Sequence, residues 1–154
     1  MSRATRQAIL ILSFVNGAIK LIIQEEDSLP HEIAPTVFWA DTFSREIIDR
    51  YPETGDNRKN VKWMKENLKR WADMGADKMI RWHPAVVSTM ALNFIEDILD
   101  KIQNQARADL ETLRDGLIRI SYFYTDRAEG DLGQYFDEAS AMADELYAVI
   151  DFSR

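Results

Sequence analysis

Arg58, Lys62, Lys65 and Lys69 recur at steps of four, three and four, which places four cations on one face of a helix. Val61, Met64, Leu68 and Trp71 mark the adjacent face at the same period. Such a row of cations can neutralise successive phosphates, releasing counterions and giving an affinity that falls with salt. Trp63 lies off the apolar stripe, near Lys59, Arg70 and Met74 on a helical wheel. A ring beside cations can stack on a base or fill a pocket in a protein partner. Two overlapping surfaces are therefore expected on the basic helix 58–70. Trp63, Lys59, Lys62 and Arg70 would meet a protein partner, and Arg58, Lys62, Lys65 and Lys69 would bind phosphates of a nucleic acid. The plainer alternative is a solvated face, with Trp63 covered by another helix of the same chain. No recognition-helix motif, Gly-rich turn or zinc-finger spacing accompanies the segment.

Acidic side chains form the counterpart. Asp137, Asp144 and Asp151 repeat every seven residues, with Glu138 and Glu145 beside them. This face suits a basic partner, or the basic helix itself within the chain or across a dimer, and otherwise serves as a solvated exterior.

Metal chemistry has less to work with. Glu25, Glu26, Asp27, His31 and Glu32 gather hard ligands in one stretch, but without the spacing of a calcium loop or a second histidine for zinc. Di-iron bundles need Glu-x-x-His on two helices, and neither His31 nor His83 has a Glu three residues before it. Glu96, Asp97 and Asp100 share one turn, and Asp144 with Glu145 could oppose them to hold magnesium for attack of water on a phosphate. All-α nucleotide pyrophosphatases of the MazG-like kind use a denser Glu-x-x-Glu arrangement, which this chain lacks. No metal site and no cofactor is therefore expected. Nucleophilic catalysis has no footing either, because no Gly-x-Ser-x-Gly elbow occurs and no glycine-rich phosphate cradle is present.

The elements that must carry these residues all read at the helical period. The first runs from about Arg3 to Gln24, with Arg6, Ser13, Gly17, Lys20 and Gln24 as one narrow polar stripe. So wide an apolar arc belongs to a helix central in a bundle or half of a subunit interface, and points to a homo-oligomer. The run Ala8–Val15 after Arg3 and Arg6 resembles a signal peptide, but Asn16 spoils the cleavage site and Lys20 interrupts the run, so a mature helix is expected. Pro30 and Pro35 interrupt the next stretch, and Thr36 is the expected N-cap of a second helix ending near Tyr51. Along it Trp39, Phe43, Ile47 and Tyr51 lie on one side. The basic helix follows from Asp56 or Asn57 to Met74, and a short segment lies around 77–82.

Pro84 suits the first turn of a further helix with Val87, Met90, Phe94, Ile98 and Ile102 buried, and His83 is read as its starting residue. The apolar phase continues through Ala106, Leu110, Leu113, Leu117, Ile120 and Tyr124. Residues 84–127 thus read as one helix of about 40 residues or as two with a turn near Gln105. Two is the expectation, since uninterrupted helices of that length are uncommon in small domains. Tyr122, Phe123 and Tyr124 are expected to pack at a bundle end. Gly130 and Gly133 form a hinge before a last helix to Phe152 that buries Phe136, Ala139, Ala143, Leu146 and Ile150.

The whole chain bounds these choices. Its 154 residues suit a single all-α domain, 1–154, without repeats or linkers. Residues 1–55 carry five basic and eight acidic groups, 56–82 eight and four, and 83–154 six and fourteen, so the net charge of −7 resolves into −3, +4 and −8. Any contact with nucleic acid must be local to the middle segment, and no membrane association is expected. The absence of cysteine removes disulfides and thiolate chemistry and fits a cytoplasmic location. The expectation is an all-α bundle of five or six helices that self-associates and serves as a non-enzymatic protein–protein interaction module. The alternatives are a nucleic-acid-binding regulator using the basic helix and, further off, a metal-dependent nucleotide pyrophosphatase.

Overall fold

Apolar spacing at the helical period resolves into four helices in the computed structural model. It describes residues 3–25, 29–50, 83–101 and 106–128, together with 66, 130, 132–134, 136, 137 and 141. The helices are α1 (Arg3–Glu25), α2 (Ala34–Asp49), α3 (Pro84–Lys101) and α4 (Ala106–Arg127). No strand occurs among the described residues, so the all-α class holds. The described bundle has four helices rather than five or six. Of the two other expected helices, only Glu66 in the basic one and residues 133, 134, 136, 137 and 141 in the last are described, all helical. No described helix is long and apolar enough to cross a membrane.

Helix α2 starts three residues earlier than its sequence suggests. Ile33, not Thr36, occupies the N-cap, with no side-chain capping bond, and Pro35 sits inside the first turn. The reason is that the first N–H groups of a helix have no intrahelical acceptor, so proline there sacrifices nothing. The Pro30 carbonyl instead begins the turn, accepting from Ile33 N at 3.1 Å and Ala34 N at 2.9 Å. At the other end the helix stops at Asp49, where the Arg50 N–H closes it on the Glu46 and Ile47 carbonyls.

Helix α3 begins as expected. Pro84 fills the first helical position, and His83 Nδ1 accepts the Ala85 N–H at 3.1 Å, so the imidazole does the work usually given to Ser or Asp. The question of one long helix or two is answered by packing. Helices α3 and α4 lie against each other. Thr89 Oγ1 and Ser121 Oγ are 3.0 Å apart, and the Arg107 guanidinium donates to the Leu99 carbonyl. Contacts nested in sequence, Thr89 with Ser121 and Leu99 with Arg107, make α3 and α4 an antiparallel pair. Arg107 also satisfies a carbonyl in the last turn of α3, where helix carbonyls lack partners.

Around the bundle α1 packs on α2 and α3, and α4 packs on α2 and α3. Asn16 of α1 reaches Asp41 and Ser44 of α2, positions equally far from their connector, so this pair is antiparallel. Arg50 at the end of α2 pairs with Asp109 at the start of α4, and Trp39 lies at Gly116, which makes the third pair antiparallel too. The fourth pair, α1 with α3, meets through Phe14 and Phe94, whose rings stand edge-on at 4.9 Å.

Every residue from 11 to 19 of α1 is buried. The wide apolar arc is thus buried along this stretch, although among the described helices α1 packs on two neighbours, as each of the others does. The polar stripe does not face water in its middle, however: Ser13 and Gly17 are buried and Lys20 is half-buried. Of the expected line, Leu110, Leu113, Leu117, Ile120 and Tyr124 of α4 are buried, while Ile102 and the side chain of Ala106 lie outside the described residues. On α3 Val87, Met90, Phe94 and Ile98 are buried, joined by Val86, Ala91, Ile95 and Leu99. Beyond α4, Gly130 adopts φ +83°, a left-handed conformation that a side chain would resist. Gly133 is helical, at the expected start of the last helix.

Candidate functional site

Helix α2 turns two faces in different directions. Its buried residues are Val37, Ala40, Ser44 and Ile47, a stripe of mostly small side chains at the helical period. Phe38 is one residue on from Val37, about 100° around the helix, and projects outward with 51% of its surface exposed. Trp39 is 38% exposed and Phe43 half-buried. The aromatic line Trp39–Phe43–Ile47 thus runs along the flank of the helix, and only Ile47 is in the core. These residues share one side of the helix, as their spacing predicts, with Tyr51 outside the described residues, while Ala40 and Ser44 are buried.

What positions Trp39 is a missing side chain. Gly116 is buried in the interior of α4. A methyl group there would overlap Trp39 Cζ3 and stand 3.2 Å from Cε3 and 3.3 Å from Cη2. The indole therefore seats on α4 backbone, and Phe43 stacks on it at 5.1 Å with 23° between the planes. Tyr122 on α4 is 65% exposed, and it completes the large apolar side chains that are exposed among the described residues. Of the aromatic run 122–124, Tyr124 enters the core, Phe123 is half-buried and Tyr122 faces out, so only part of it packs. Arg127 lies 3.7 Å above the Phe123 ring and donates to its carbonyl, which anchors that end of α4.

Behind the aromatic flank, α2 is locked to α1 by buried polar atoms. The two N–H groups of the Asn16 amide are shared among Ser44 Oγ at 2.8 Å and the Asp41 carbonyl and carboxylate at 3.1 Å each, one of them bifurcated. Ser44 Oγ donates in turn to the Asp41 carbonyl at 3.0 Å, and Arg45 pairs with the other Asp41 oxygen at 3.2 Å. Asn16 and Ser44 are buried and the Asp41 side chain is largely so. Partnered groups of this kind fix which faces meet.

The sequence-derived sites fare unequally. Lys59, Trp63, Lys62 and Arg70, and likewise Arg58, Lys65 and Lys69, lie outside the described residues. Glu66 alone of that segment is described, helical and exposed. Glu96, Asp97 and Asp100 are exposed on α3, while Asp144 and Glu145 lie outside the described residues. His31 and Glu32 are exposed. Among the described residues no three His, Asp or Glu side chains converge as metal ligands. Phe38 was not singled out by sequence. Its signal was the stripe Val37, Ala40, Ser44 and Ile47, which sets the outward direction once those small residues are taken as the buried line.

The chain matches no protein-family model, no curated protein and no solved structure. The class rests on the fold and surface alone: an all-α bundle with outward aromatic side chains on α2 and α4.

Proposed function

We propose that this chain is a non-enzymatic interaction module, of the inhibitor, immunity-type or adaptor kind, that works through helix faces. The observation carrying this reading is Phe38, a large apolar side chain held outward on a helix whose opposite face is locked into the bundle. Aromatic side chains at such positions are the usual anchors of protein interfaces. Trp63, Lys59, Lys62 and Arg70 belong to the same proposal as a second contact surface on the basic helix. The resemblance to small acidic inhibitors and adaptors is one of general architecture.

The test is a tagged pull-down from native extract, with and without nuclease, comparing the natural chain with Phe38→Ala and Trp63→Ala. The expected result is a stoichiometric protein that survives nuclease and is lost with one or both variants. Melting temperatures should stay close to that of the natural chain, since Phe38→Ala removes an outward side chain and should alter stability by no more than about 0.5 kcal/mol. Retention of the partner by both variants would overturn the assigned surfaces.

A second reading is favoured by the +4 charge of residues 56–82. It makes the protein a nucleic-acid-binding regulator that contacts phosphates through Arg58, Lys62, Lys65 and Lys69. Recovery of nucleic acid, with co-eluting proteins lost after nuclease, would put this reading first. Binding should then weaken with salt at a logarithmic slope of about −4, the value for roughly four phosphates. Magnesium-dependent phosphate release from common nucleotides should be undetectable under either reading. Activity dependent on Glu96, Asp97 or Asp100 would replace both with a hydrolase.

A further inference from the structure

We draw no further inference here: the strongest candidate, the outward aromatic surface of Phe38 and Trp39 on α2, belongs to the surface already described, and nothing in the structure shows what covers it.

Discussion

Gly116 illustrates how one absent side chain arranges a surface. Glycine inside a helix costs about 1 kcal/mol relative to alanine, so replacing it would ordinarily strengthen α4. Here the added methyl group meets the Trp39 ring, and overpacking costs about 1–3 kcal/mol. Gly116→Ala is therefore expected to lower the melting temperature by a few degrees. In a Trp39→Leu background the same change should be neutral or stabilising, because the obstructing ring is gone. A double-mutant cycle in urea checks this; additive effects would show that Trp39 does not seat on Gly116.

Asn16 makes a second residue-scale case, since its amide serves three acceptors on α2. Asn16→Ala leaves a buried node incomplete and should cost about 1–3 kcal/mol. Its coupling to Asp41→Ala should lie within about 0.5–3 kcal/mol. The Asn16 node was not visible in the sequence. An Asn within an apolar run signals a buried partner only when the partner helix is known, and Asp41 and Ser44 are more than twenty residues away.

At the scale of elements, helices α3 and α4 owe their pairing to apolar lines that were plain in the sequence. Val87, Met90, Phe94 and Ile98 share one buried core with Leu110, Leu113, Leu117 and Ile120. Their phase runs on without a breaker, so one long helix and a hairpin satisfy the same pattern. The hairpin prevails because folding back buries the two lines in one core, with α3 also packed on α1 and α4 on α2. Thr89 and Ser121 then meet within the interface. Thr89→Val alone should cost about 1 kcal/mol, by leaving the Ser121 hydroxyl short of a partner. Adding Ser121→Ala should recover part of that loss, because two apolar groups need no hydrogen bond. Chemical denaturation of the two single variants and the double variant measures the difference. Helix α2 teaches the opposite lesson. Its aromatic side chains Phe38, Trp39 and Phe43 lie outside the buried line, which is made of Val37, Ala40, Ser44 and Ile47.

For the molecule as a whole, α1 was the reason to expect self-association, and its residues 11–19 are buried within the single chain. We propose that a second copy would use outward side chains, of which Phe38 and Tyr122 are the large apolar ones among the described residues. Sedimentation velocity across a concentration series is expected to show reversible association. Phe38→Ala should raise the dissociation constant roughly tenfold or more, the effect of losing about 1.4 kcal/mol. A monomer at every concentration would remove self-association and leave the proposal of a different protein partner standing.

Sequence by itself determined the helical class, the start of α3 at His83 and Pro84, and the buried lines of α3 and α4. Those properties follow from local chemistry: a period of apolar residues, a proline with no N–H to lose, and a side-chain acceptor at a helix start. Tertiary structure alone decided that α3 and α4 form a hairpin, that Ser44 and Asn16 face each other, that Trp39 rests on Gly116, and that Phe38 points outward. Each of these depends on how closely two helices approach and in what register. Distances between residues remote in the chain set that approach, and a one-dimensional pattern does not contain them.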